Sequence, residues 1–190
     1  EEVSKLCTIS TGHFDLTIGA RKNKVFTLES EIRRGLEAYV RAVRTSNFAD
    51  VLLAICMRAI GDVTGLERFA VEVEHNGRNF GDNRYDLSNT IGWFTAIYPL
   101  IFDARTVSVE ESVQSIAKQQ KDKQKIAGEF MLQKIYGEHR TGIYGIQPEI
   151  CFNYLGEFDS VEQENGPFEV VVNGWKGNRF EKQKTPYLLE

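Results

Sequence analysis

Between Phe69 and Glu74 the side chains alternate strictly: Phe69, Val71 and Val73 are apolar, and Ala70, Glu72 and Glu74 fall between them. A period of two belongs to an extended strand, with one set of side chains on each face. The segment before it follows a different rhythm. Leu28, Ile32, Leu36, Val40 and Val43 recur at helical spacing, and Phe48, Val51, Leu52, Ile55, Cys56 and Ala59 give a second helix with a broad apolar side. Asn47 reads as its N-cap with Asp50 in the first turn, Gly61 as its end and Gly65 as the turn beyond. A chain that alternates helices with a strand in this way packs helices on a sheet, so the expected class is α/β with a mixed sheet.

The rest of the chain supports that class. Ile91 to Tyr98 is apolar and aromatic, which predicts a buried strand that Pro99 closes or that gives way there to a helix. Ser108 with Glu111 forms a capping-box pattern that opens a helix through Val109, Val113, Ile116 and Ala117. A shorter helix is expected around Phe130 to Tyr136, stopping at Gly137, with strands at Ile150 to Tyr154 and Phe168 to Val172. The first 26 residues read as irregular, with short strands at Glu2 to Ile9 and Phe14 to Ile18. No repeat, low-complexity tract or linker divides the chain, so residues 1–190 are expected to form one lobe.

Composition narrows the class of function. A net charge of −4 disfavours nucleic acid, whose phosphates need a concentrated basic face. Lys118, Lys121, Lys123 and Lys125 do cluster, but Asp122 and Glu129 interrupt them, and a solvated helix face accounts for the run. No apolar stretch approaches the ~20 residues of a membrane helix, and no basic-then-apolar leader signals secretion. Cys7, Cys56 and Cys151 are odd in number and far apart, which fits reduced thiols in a cytoplasmic protein rather than a disulfide framework. Cys56 and Cys151 lie in apolar stretches, where a thiol acts as a small hydrophobe.

Three stretches carry more chemistry than a scaffold needs. In 73–79, Glu74 ends a strand just before a glycine loop holding His75, Asn76 and Arg78. Strand-end loops are where reactive groups commonly sit, although a solvated glutamate at a strand edge is the plainer alternative. In 89–99, Gly92 within an apolar run suggests a bulge or a close backbone approach. In 152–159, Asn153 and Tyr154 place polar tips in an aromatic run, and buried polar tips need partners. Nucleophile elbows, phosphate loops, dinucleotide fingerprints and zinc spacings are absent, and His13, His75 and His139 are dispersed, so no metal site is expected.

Together and in this order, the three stretches resemble epimerization domains of nonribosomal peptide synthetases. These belong to the condensation-domain superfamily, whose two lobes are each similar to chloramphenicol acetyltransferase. Glu74-His75-Asn76-Gly77-Arg78-Asn79 aligns with the family's Glu-Gly-His-Gly-Arg-Glu. Residues Thr90 to Pro99 resemble its Thr-Val-Gly-Trp-Phe-Thr-x-x-Tyr-Pro, and Phe152 to Asp159 its Phe-Asn-Tyr-Leu-Gly-Gln-Phe-Asp. Weaker similarities are Asp50 to Ala54 and Gly142 to Gly145. The motif-bearing region is about 26–159. Two departures stand out: the family's N-lobe His-His-x-x-x-Asp-Gly has no counterpart here, and His75, Asn76 and Asn79 differ from the family motif.

The resemblance implies a C-terminal lobe, and a reaction that inverts the Cα of an aminoacyl or peptidyl thioester. It makes Glu74 the candidate catalytic acid/base, Asn153 and Tyr154 substrate-binding residues, and Asn76, Arg78 and Trp93 supports of the surrounding loops and strand. The implied partners are a peptidyl-carrier domain and the missing N-terminal lobe. The cofactor, 4'-phosphopantetheine, would be carried by the partner and not bound directly. An isolated lobe is expected to be inactive, because it lacks half of the catalytic groups. The alternatives are a condensation-type domain that forms an amide bond, and a non-catalytic lobe that only docks a carrier.

Overall fold

The computed structural model describes residues 6–9, 14–44, 46–78, 86–105, 108–124, 126–138, 142–156 and 180–190. Among these, the regular structure consists of four helices and three strands: α1 (Ser30–Ala42), α2 (Phe48–Thr64), β1 (Arg68–His75), β2 (Ala96–Asp103), α3 (Val109–Gln124), α4 (Ala127–Tyr136) and β3 (Ile150–Phe152). The sheet runs β2-β1-β3, with β2 antiparallel and β3 parallel to the central strand. It is therefore mixed, as expected. His13, His139, Lys125, Asn79 and the expected strand at 168–172 lie outside the described residues. No regular strand forms at 6–9 or 14–18; Thr17 makes an isolated bridge to Lys184, and Ile18–Ala20 is a 3-10 turn.

One face of the sheet carries Phe69, Val71 and Val73 from β1, Tyr98, Leu100 and Phe102 from β2, and Ile150 from β3. These pack with Val51, Leu53, Ala54 and Met57 of α2 and with Val113 and Ile116 of α3. Each such side chain withdrawn from water contributes about 1.5–3 kcal/mol. The α2 face differs from the one expected. Ile55 and Cys56 are exposed, and Leu53, Ala54 and Met57 point inward instead. The helix is apolar on nearly all sides, so periodicity alone does not choose its inner face.

A polar tether accompanies that packing. Asp50 is buried, closes a capping box with Asn47, and its Oδ1 accepts from Gln120 Nε2 of α3 at 2.7 Å. Gln120 Oε1 in turn accepts from the Tyr98 hydroxyl at 3.1 Å. Burial raises the Asp50 carboxyl, while its hydrogen bonds with Asn47 and Gln120 oppose that rise. Helix α2 continues through Gly61 and ends at Gly65, which is left-handed with φ of 71°. An internal glycine costs only about 1 kcal/mol, too little to stop a helix whose flanking residues are packed.

The second strand also departs from expectation. It begins at Ala96, not Ile91, and Pro99 lies inside it. Proline is tolerated there because β2 is the edge strand and position 99 faces outward, where no ladder bond is lost. Helix α3 runs along this edge and covers it. Gln119 accepts from the Ile101 N–H at 2.9 Å and donates to the Ile101 carbonyl at 2.8 Å, while Lys123 donates to the Pro99 carbonyl. A side-chain amide thus substitutes for a neighbouring strand, which blunts an aggregation-prone edge. The expected N-cap of α3 is present, with Ser108 Oγ accepting from the Glu111 N–H.

Candidate functional site

The opposite face of the central strand carries Glu72 and Glu74. Burial extends over 69–73, so β1 has no open polar face. Glu72 is 4% exposed and is held by two donors, Lys134 Nζ of α4 at 2.8 Å and the Tyr187 hydroxyl of the C-terminal segment. Burial and the Glu72 carboxylate together push the Tyr187 phenol well above its ordinary value. That segment adds to the β3 edge: Ile150 bridges Leu189 in parallel, and the Cys151 N–H donates to the Leu189 carbonyl. This cluster had no motif to announce it. Its only sequence signal is an acidic residue flanked by buried valines.

Glu74 lies one step further along, at the end of the strand and partly buried. It is on the central strand, one residue beyond the last pair with β3. The parallel register pairs Val73 with Phe152, which puts Glu74 and Asn153 on the next rung and on one face. Asn153 Nδ2 donates to Glu74 Oε2 at 2.7 Å. The Cys151 thiol is buried close by. Burial first, then the Glu74 and Glu72 charges, push it up to about 11, so it stays protonated at neutral pH.

A tight turn follows. Gly77 has φ of 62°, and a Cβ there would fall 1.7 Å from the Phe94 carbonyl oxygen, so only glycine lets these two segments touch. The Gly77 N–H donates to His75 Nδ1, and burial lowers the His75 pKa and keeps the ring neutral. Asn76 Oδ1 accepts from the Arg78 N–H at 3.2 Å. The Arg78 guanidinium donates to the carbonyls of Leu87, Thr90 and Gly92, and lies 4.7 Å from the Phe94 ring centroid. One rigid fork thereby fixes the loop before β2.

The remaining candidates separate from this group. Trp93 is 92% exposed on that loop, ahead of the ladder that begins at Ala96. The Tyr154 ring packs 6.1 Å from Phe48 of α2, while Asn153 points to Glu74. Beside Asn153 opens a cleft of about 580 Å³, lined by Leu16, Arg21, Leu155, Tyr187 and Glu190 among others. Among the described residues, no cluster of His, Cys, Asp and Glu could hold a metal ion. No described helix is long and apolar enough to cross a membrane.

What this arrangement can do is bounded by its chemistry. It offers a carboxylate held by one amide near the end of a buried strand, with that amide bordering an open cleft and a rigid loop following the strand. Such a carboxylate can accept or return a proton.

Comparison with known proteins places the fold. The family model described as "Condensation domain" matches residues 18–190. A plipastatin synthase protein of Bacillus subtilis (strain 168) is 39% identical over 150 residues, 74% of this chain and 6% of that protein. A linear gramicidin synthase protein of Brevibacillus parabrevis is 31% identical over 187 residues, 96% of this chain and 3% of the relative. The chain thus spans a small fraction of these relatives' lengths. The crystal structure of the epimerization domain from the third module of tyrocidine synthetase B matches with a TM-score of 0.58 and 24% identity, covering 70% of this chain and 32% of that one. The mixed sheet with its four helices is the chloramphenicol acetyltransferase-like fold that the sequence led one to expect. The chain belongs to the condensation-domain family.

Proposed function

We propose that this chain is the C-terminal lobe of a nonribosomal peptide synthetase domain that epimerizes the Cα of a carrier-bound aminoacyl or peptidyl thioester. The observation that carries the reading is the Glu74 carboxylate, stationed at the end of β1 and hydrogen-bonded by Asn153. Support comes from the Trp93-Phe94 motif and from a structural neighbour that is an epimerization domain.

The reaction needs little beyond well-placed proton carriers. A base removes the α-proton, and the C–H electron pair moves into a Cα–C double bond while the thioester oxygen takes up negative charge. A proton returned to the opposite face gives the inverted centre with no net change in atoms or charge. Glu74 would serve one face. The second acid/base and the donors to the enolate oxygen would come from the N-terminal lobe, so the isolated chain is inactive in this account. The substrate arrives on the 4'-phosphopantetheine arm of a peptidyl-carrier domain, in the cytoplasm.

One observation favours a second reading. Asn76 occupies the family's histidine position, and its side chain is engaged by the Arg78 N–H, as a purely structural turn would have it. That fits a lobe which docks a carrier without catalysis. A condensation-type enzyme is the third possibility. Chiral analysis of the thioester after incubation with the intact two-lobe protein separates them. A mixture of L and D forms supports epimerization, a lengthened peptide supports condensation, and an unchanged substrate with measurable carrier binding supports docking alone.

A further inference from the structure

Asn153 was expected to face substrate, yet its amide is directed at Glu74. The rung after the Val73–Phe152 pair sets the two side chains on one face, and Nδ2 donates to Oε2 at 2.7 Å. That distance is short for an amide donor and typical of a bond to a charged acceptor. Glu74 is the penultimate residue of β1 and is only partly buried, so packing alone does not fix its side chain. Without a partner its carboxylate would sample several rotamers, and the bond to Asn153 selects among them. Glu74 lies within the paired part of β1, and Asn153 follows directly on the last residue of β3, so the bond ties the segment leaving β3 to the central strand.

We infer that Asn153 is a positioning residue for Glu74, which holds the carboxylate in one orientation rather than binding substrate itself. The inference rests on the acid/base role proposed for Glu74. Asn153 is exposed and borders the cleft, yet its amide is turned to Glu74, whose other neighbours are engaged elsewhere. Glu72, on the same face, is occupied by Lys134 and Tyr187, and the Cys151 thiol beside Glu74 is protonated at neutral pH. His75, the next residue of β1, turns its Nδ1 to the Gly77 N–H. The Asn153 amide is thus the side-chain donor seen on Glu74 among the described residues.

The test uses the intact two-lobe protein and α-proton exchange from an aminoacyl-carrier thioester in deuterated water, measured across pH. Asn153→Ala should lower kcat on the order of 10²-fold with KM unchanged, the cost of a misplaced reacting group. Asn153→Asp puts a second carboxylate against the first, and the pair then retains a shared proton. The ascending limb of its rate profile should move to higher pH. A raised KM with an unmoved limb would make Asn153 a substrate contact and overturn the inference. Lower activity in proportion to a loss of folded protein, with an unmoved limb, would overturn it as well.

A second readout does not depend on turnover. The side-chain amide resonance of Asn153 should move upfield in Glu74→Ala. Absence of exchange in the unaltered protein would count against the proposed reaction, and the resonance would then decide this inference separately: movement supports the contact, and no movement removes it.

Discussion

A methyl group added at Gly77 would lie 1.7 Å from the Phe94 carbonyl oxygen and 2.9 Å from its carbon, where real Cβ contacts are essentially never under 3.0 Å. The two segments would have to part by more than ~1 Å, a displacement that can cost ~10²-fold in turnover when it reaches a reacting group. Gly77 is three residues from Glu74 and adjoins the Arg78 fork, so the site would feel that shift. Gly65 provides the control. It has a similar φ, 71° against 62°, but nothing lies within 4 Å of its would-be Cβ. Gly65→Ala should therefore cost only the left-handed strain, about 1 kcal/mol. Gly77→Ala carries the same strain plus overpacking, for a total of about 2–4 kcal/mol. Urea denaturation of the intact protein measures both losses, and the exchange assay measures turnover. The Gly77 variant should lose turnover beyond its loss of stability, and the Gly65 variant should not. Equal losses in the two variants would refute the close contact between 77 and 94.

Other perturbations test the core and its polar links. Leu100→Ala removes a fully buried residue of β2 and should cost about 2–5 kcal/mol, read as a lower urea midpoint. Lys134→Met takes one of two donors from buried Glu72 and should cost about 1–3 kcal/mol, with Tyr187→Phe non-additive with it because both act on the same carboxylate. Burial raises Tyr98 from 10.0 to about 12. The folded state holds this proton more tightly, so the stabilisation is full below pH 10 and lost as the pH rises through about 12, amounting to about 3 kcal/mol. Stability measured across that range should fall less steeply in Tyr98→Phe; an identical decline would show that Tyr98 is not the group involved.

How much of this was readable from the residues varies with the range of the interaction. The Asn47 cap, the Ser108 cap and the end of α4 at Gly137 are local, and each appears where the side-chain chemistry requires it. The 69–74 strand was equally plain. The start of β2 was not. Residues 91–95 have strand-like composition, but Arg78 draws the carbonyls of Thr90 and Gly92 to itself, leaving Ile91 and Trp93 exposed. The inward face of α2 was hidden for a related reason, since it is set by contacts distant in sequence, among them a bond from Gln120, 70 residues away. At the site, Glu74 could be picked out as a strand-end carboxylate. Asn153 could be picked out too, but not its pairing with Glu74, because a contact across 79 residues leaves no local trace. The docking of Tyr187 on Glu72, 115 residues apart, is likewise a product of the tertiary fold.

The central claim is that Glu74 moves the α-proton. The direct test is deuterium incorporation at Cα of a carrier-bound aminoacyl thioester, comparing the intact two-lobe protein with its Glu74→Gln variant, which keeps the shape and removes the base. The account predicts exchange in the unaltered protein and none above background in the variant, with carrier binding the same in both. Full exchange in Glu74→Gln would contradict it.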